Sequence, residues 1–294
     1  MQPVMIHRTP PDDPLSPSVL RSVCEELARL GAAAAWPFYQ RIRTGRAIGV
    51  QSKADDSPVT EADLAAQQAM ANAILQHFPH AGLLGEETLQ PAAQNTLPPI
   101  EQARLVFIVD PIDGTRNFLS GLPLWAVLVA ACVDGVPVAS ATLCPALQTT
   151  YAAAAGHGAT RNGEPMAVSP ASRTPNSLMG CPSPRNGRIE PFAEHWFLNY
   201  TGRNLGSAGL HLACVAEGSF AAAAGPECRL WDLAAGWLLV HESGGRVTGF
   251  AGQELFPGSL QGYAGQCVPW IASAADHAGL LEQVRAIDPA AAAG

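Results

Sequence analysis

Two aspartates three residues apart, Asp110 and Asp113, follow directly on an unbroken apolar run, Leu105-Val106-Phe107-Ile108-Val109. A run of that length, rich in β-branched and aromatic residues, predicts a buried strand. A buried strand that delivers two carboxylates faces two costs: they repel each other, and each is expensive to bury unpaired. A cation resolves both. Pro111 is expected to stop the strand, because it has no N–H to give. Asp110 and Asp113 then converge, with the Ile112 carbonyl between them as a third oxygen. Gly114 lets backbone approach a ligand closely, and Thr115 offers a hydroxyl and an N–H. Hard oxygen ligands of this kind suit Mg²⁺. Taken alone, the same residues also make an ordinary strand-to-turn junction.

Three further stretches carry acids in suggestive settings. Thr60 and Asp63, in Val59-Thr60-Glu61-Ala62-Asp63, have the spacing of a capping box. The same spacing puts the Asp63 carboxylate in a first helical turn, within reach of a water. Gly85-Glu86-Glu87 reads either as a solvated turn or as an acid pair aimed at a metal, with Glu86 the nearer ligand. Trp231-Asp232-Leu233-Ala234-Ala235-Gly236 reads as a helix start with Asp232 as N-cap, or as a helix-start Asp that caps and coordinates at once.

The four pieces together, D-P-I-D-G-T, an upstream G-E-E, a V-T-x-x-D box and a downstream W-D-x-A-A-G ahead of Gly244-Gly245, resemble the inositol monophosphatase family. That family lies within the Mg²⁺-dependent, lithium-sensitive phosphomonoesterases. Gly156 to Gly163, ending in Arg-Asn-Gly, resembles its mid-chain segment. The resemblance implies a layered α/β/α/β/α sandwich, commonly dimeric, with two or three Mg²⁺ ions. It implies metal ligands at Glu86, Asp110, the Ile112 carbonyl, Asp113 and Asp232, and catalytic roles for Asp63, Thr115 and Glu86. Gly114, Thr115, Ser207 and Ala208 would line the substrate pocket. Family enzymes acting on inositol phosphates often carry an acid about seven positions before the W-D Asp. That position is Gly225 here, and the nearest acid, Glu227, is the candidate substitute. The implied reaction is direct attack of water on a small phosphate monoester, an inositol monophosphate first. Histidinol phosphate, fructose 1,6-bisphosphate and a 3′-phosphonucleotide are the alternatives. A non-catalytic metal-binding scaffold on the same fold is the competing class, and retention of Asp63, Glu86, Asp110, Asp113, Thr115 and Asp232 together argues against it. Arg185, Arg203 and Arg229 are candidates for a second phosphate or for plain solvation.

The elements that must position these groups follow from the rest of the chain. It has 294 residues, 48% of them hydrophobic and 14% charged, which suits an ordered α/β protein with a sizeable core. A net charge of −8 disfavours binding to a nucleic-acid polymer. Seven scattered cysteines without a C-x-x-C argue against a zinc site or a disulfide framework. With no signal-like start and no long apolar run, a cytoplasmic protein without a membrane span is expected. Ser16-Pro17 opens a helix that Pro37 is expected to kink or end. A second helix is expected from about Glu61 to His77, with Leu64, Ala71, Ile74, Leu75 and Phe78 as its apolar stripe. Residues 88–104 read as a surface loop. Leu124–Cys132 and Val136–Leu143 read as strands joined at Asp134-Gly135, a hairpin turn signal. Gly206-Ser207-Ala208-Gly209 leads into a helix, and Trp231-Asp232 opens another that Gly244-Gly245 stops. Two subdomains are expected: residues 16–155 with most of the metal ligands, and 156–285 completing the substrate site. Residues 1–15 and 288–294 are expected to be loose tails.

Overall fold

Every residue of Leu105–Asp113 is buried. Its apolar run is continuous because both faces of its sheet are covered. A computed structural model describes residues 13–52, 58–89, 97–168, 173–184, 187–256, 260 and 263–288. The first half forms α1 (Pro17–Arg43), β1 (Val50–Ser52), β2 (Pro58–Thr60), α2 (Glu61–His77), β3 (Gly82–Gly85), β4 (Leu105–Asp113), α3 (Thr115–Leu119), β5 (Ala126–Val133) and β6 (Val136–Cys144). Next come β7 (Thr149–Ala154), β8 (Ala159–Arg161), β9 (Glu164–Met166), β10 (Leu178–Gly180), α4 (Pro191–Asn199), β11 (Thr201–Arg203) and α5 (Ala208–Ala216). The chain closes with β12 (Ala222–Cys228), α6 (Leu230–Glu242), β13 (Arg246–Thr248), β14 (Val268–Ser273) and α7 (His277–Ile287).

Strands β3 to β9 make a seven-stranded sheet in chain order, and a five-stranded sheet runs β11-β10-β12-β14-β13. Alternation along β4 and β5 sorts their side chains to two cores. Leu105, Phe107, Val109, Val127, Val129 and Ala131 meet α1 and α2 on one face. Val106, Ile108, Leu128, Ala130 and Cys132 meet α5 and α6 on the other. The far side of the five-stranded sheet is covered by α4 and α7 through Met179, Trp196, Ile271 and Leu280. The order of layers is therefore α1/α2, seven strands, α5/α6, five strands, α4/α7, which is the α/β/α/β/α sandwich. The seven-stranded sheet continues to Met166, past residue 155, and α5 and α6 from the second half fill the space between the sheets. The two halves share one layer of core.

The Asp134-Gly135 hairpin forms as expected, both residues in the left-handed region. The structure overturns two expectations, for the α2 stripe and Pro111, and sharpens two others. Pro37 does not end α1, which runs on to Arg43. The turns beyond it are anchored by the buried Tyr39, whose hydroxyl donates to the Gly121 carbonyl at 3.1 Å and whose ring packs with Trp36, Phe118 and Trp125. An interior proline still forfeits one helix bond. Pro37→Ala is therefore expected to raise stability by about 1–3 kcal/mol, read from denaturant unfolding. The buried face of α2 is Ala62, Asp63, Ala66, Gln67, Met70 and Ile74, whereas Leu64 and Leu75 are exposed. The pattern misleads because alanines, Asp63 and Gln67 share the buried face with Met70 and Ile74, and Met70 packs on Gly31 of α1. Pro111 does not stop β4 either. It sits in a bulge between the pairs Asp110–Leu128 and Asp113–Ala126, where no ladder N–H is needed. Residues 100–102 of the expected loop form a single 3₁₀ turn, while 90–96 lie outside the described residues, as do 1–12, 53–57 and 289–294 of the expected loops and tails. All seven cysteines are free thiols. Among the described residues no helix is long and apolar enough to cross a membrane.

Candidate active site

The bulge in β4 aims two carboxylates the same way. Straight pleating would send residues three apart to opposite faces; the extra residue returns Asp113 to the side of Asp110. Asp232 joins them from the first turn of α6. It is not the N-cap: Arg229 is, and the Asp232 carboxylate reaches back to accept its N–H at 2.7 Å. One oxygen from each of Asp110, Asp113 and Asp232 lies within 4.8 Å of the others. Burial first, then the surrounding acids, pushes the Asp110 and Asp232 carboxyls well above the ordinary range. Asp113 is raised too, again by burial, less so because its hydrogen bonds favour the charged form.

Those bonds tie β4 to the second half of the chain. Asp113 Oδ2 accepts from the Ser207 hydroxyl at 2.5 Å and from the Gly209 N–H at 2.7 Å. Ser207 is at the same time the N-cap of α5, accepting the Leu210 N–H. A Cβ at Gly209 would stand 2.7 Å from that carboxylate oxygen, so glycine is what lets the helix start approach. Gly114, with φ +90, turns the chain out of β4 into α3. Thr115 Oγ1 donates to the Ile112 carbonyl at 3.0 Å.

Glu86 opens a 3₁₀ turn, Glu86–Leu89, at the end of β3. It stands outside the tight trio, yet its charge raises the carboxyls of Asp63, Asp110, Asp113 and Asp232. Asp63 is buried, and Thr60 donates both its N–H (2.8 Å) and its hydroxyl (2.5 Å) to Oδ2. The capping box is therefore present. Burial lifts the Asp63 carboxyl to about 7, against the pull of those bonds.

On β12, Gly225 faces the Trp270 indole: a Cβ there would lie 2.7 Å from Nε1. Glu227 is exposed two residues on, within the register shift between Gly225 and Cys228 of β12. Arg229 lays its guanidinium over the Trp231 ring, centroid distance 5.5 Å, and donates from Nε to the Gly265 carbonyl. Arg203 donates to its neighbour's carbonyl at the end of β11, and Arg185 lies outside the described residues.

Comparison with known proteins fits this geometry. A profile of the inositol monophosphatase family matches residues 20–288. The chain belongs to the inositol monophosphatase family. Among its relatives is the histidinol-phosphatase of Mycobacterium tuberculosis, 34% identical over 72% of this chain and 82% of that protein. The inositol-1-monophosphatase SuhB of the same organism is 32% identical over 81% and 86%. Among solved structures, an IMPase of Thermotoga maritima superposes with a TM-score of 0.75 at 28% identity, covering 92% of this chain and 97% of that one. Like the inositol monophosphatase family as a whole, the protein is a phosphoric monoester hydrolase.

The family is metal-dependent, and the donor set here fits that requirement. Two buried carboxyls and a half-buried third crowd together with their charges uncompensated, which raises all three; a divalent cation among them would favour the ionised forms. Two supporting residues escaped the sequence reading. Asn117 donates to the Leu124 carbonyl at 2.6 Å and to the Leu205 carbonyl at 2.8 Å, stitching α3 to the loop that carries Ser207. An Asn in a short helix near a turn carries no signal of so distant a partner. His211 accepts the Leu205 N–H at Nε2, 3.0 Å. Burial lowers its pKa to about 4. The unfolded chain, with a histidine near 6.5, therefore takes up the proton first as pH falls. His211 contributes stability above that value and loses it as pH drops toward the folded pKa. Between pH 7 and pH 5 the loss is about 2 kcal/mol. His211→Gln is expected to remove that increment of acid sensitivity, seen by comparing denaturant unfolding of the two proteins at both pH values.

Proposed function

We propose that the protein hydrolyses a small phosphate monoester with Mg²⁺, an inositol monophosphate being the first candidate. The observation that carries the reading is the convergence of Asp110, Asp113 and Asp232 on one point. Glu86, Asp110, the Ile112 carbonyl, Asp113 and Asp232 would hold two or three ions. When bound, the metal neutralises the ester's charge, makes water more acidic and stabilises the leaving oxygen.

The chain's own groups do the rest. Thr60 occupies Asp63 Oδ2, which leaves Oδ1 to accept a proton from the attacking water. With Glu86 neutralised by a cation, one of the charges that raise Asp63 is removed, which favours the carboxylate that a general base needs. Thr115 Oγ1, fixed on the Ile112 carbonyl, orients that water. The N–H groups of Gly114 and Thr115 take phosphate oxygens, and the turn at Gly114 presents them. Ser207 and Ala208 close the pocket from α5, with Ser207 held on Asp113. Glu227, exposed on β12, is the candidate to meet the alcohol portion of the ester.

A second reading, histidinol phosphate as substrate, is favoured by one observation. The position where inositol-specific relatives carry an acid is closed here by the contact of Gly225 with Trp270. An exposed acid at Glu227 suits an ammonium group as well as a hydroxyl.

The test is a panel of phosphate esters assayed with Mg²⁺: myo-inositol 1-phosphate, histidinol phosphate, fructose 1,6-bisphosphate and a 3′,5′-bisphosphonucleotide, with and without lithium. Hydrolysis of one ester far ahead of the rest assigns the substrate, and lithium is expected to inhibit it. No hydrolysis of any would sink the reading. Sizing by light scattering checks the expected homodimer.

A further inference from the structure

Gln67 lies on α2, 6% exposed, one turn beyond Asp63. Residues four apart share a helix face. Its Oε1 accepts the backbone N–H of Glu87 at 3.0 Å. That N–H belongs to the start of the 3₁₀ turn Glu86–Leu89, where the first amide groups have no partner within the turn. Gly85 makes room for the contact, since a Cβ there would fall 2.5 Å from the same Oε1. The amide thus grips the peptide next to Glu86 from the helix that presents Asp63. It does so without charge, in a region already holding Asp63, Glu86 and Glu87, and the last of these is also buried.

We propose that Gln67 is a positioning residue that keeps Glu86 in place relative to Asp63 and so sets the affinity of the site for Mg²⁺. The proposal deepens the reading of the site given above and rests on it. A turn that has lost its outside acceptor can swing, and a carboxylate on it spends part of its time away from the cation. Asp110, Asp113 and Asp232 sit on other elements and would keep their arrangement.

The experiment is calorimetric titration of Mg²⁺ into the metal-free protein, accompanied by metal-free thermal midpoints. Gln67→Met, which keeps the length and removes the strong acceptor, is expected to weaken Mg²⁺ binding about tenfold. Gln67→Glu, which keeps an acceptor oxygen at the same reach, is expected to stay within about threefold of the parent. Gly85→Ala breaks the same contact from the other side and is expected to behave like Gln67→Met; it serves where Gln67→Met fails to fold. Parent-like affinity in Gln67→Met, or in Gly85→Ala where that variant serves, overturns the proposal, as does an equal loss in Gln67→Glu. A lowered midpoint with unchanged affinity also overturns it, since it would leave Gln67 a role in folding alone. Asp113→Asn is the control. If it binds Mg²⁺ like the parent, the site reading itself has failed; if it alone loses binding, only the role of Gln67 has.

Discussion

Asp113→Asn is expected to remove nearly all phosphatase activity while leaving the fold intact. The carboxylate works on two sides. Oδ2 accepts from Ser207 and Gly209, while the residue also contributes to the trio with Asp110 and Asp232. An amide has one acceptor oxygen to offer. If that oxygen stays with α5, an NH₂ group points at the other acids and repels a cation. If the amide flips, its NH₂ meets the Gly209 N–H. Either way kcat/KM with Mg²⁺ should fall about 10³-fold or more. Stability should not follow, because a buried charge that repels Asp232 has gone. Steady-state kinetics and a thermal midpoint of the metal-free variant separate the two effects. Near-normal turnover would contradict the metal role.

The second large effect is stabilisation by the cation. Without one, the protein keeps three acids pressed together, each raised by burial. A ligand that binds only the folded chain at 100 times its Kd adds about 2.7 kcal/mol. For a chain of this size that lifts the melting midpoint by roughly 4–5 °C. Stripping with a chelator at neutral pH should lower the midpoint by that amount, and Mg²⁺ should restore it. Sodium chloride at matched ionic strength should not, since screening acts weakly on buried pairs. Asp113→Asn should show little response. A midpoint indifferent to Mg²⁺ in the parent protein would count against the whole site.

These effects depend on groups that the chain keeps far apart. Ser207 and Gly209 reach Asp113 across 94 and 96 residues. Asn117 reaches Leu205 across 88. Family resemblance implies pocket roles for Ser207 and Ala208, but the hold of Ser207 on Asp113 has no local signal. The stripe chosen for α2 shows the same limit. Leu64 and Leu75 are exposed, yet the helix buries Ala62, Ala66, Met70 and Ile74, because the face set against α1 and β4 is the one these residues share. The intrinsic costs of Pro37 and Pro111 predict a disturbed helix and a stopped strand. Both are tolerated, one by an aromatic anchor beyond it, the other by a bulge that needs no N–H.

What the residues determine by themselves is the chemistry on offer. An apolar strand ending in D-P-I-D, a capping box with Asp63, and acids after β3 and at the start of α6 follow from short-range rules of periodicity, capping and turn formation. Those rules act within a few residues, so they can be read one stretch at a time. The tertiary structure alone decides that the bulge turns Asp113 toward Asp110, that α5 docks on its carboxylate, and that Trp270 closes the space beside Gly225. Each depends on close packing between elements from distant parts of the chain, where an ångström of separation determines whether acids repel or share a cation.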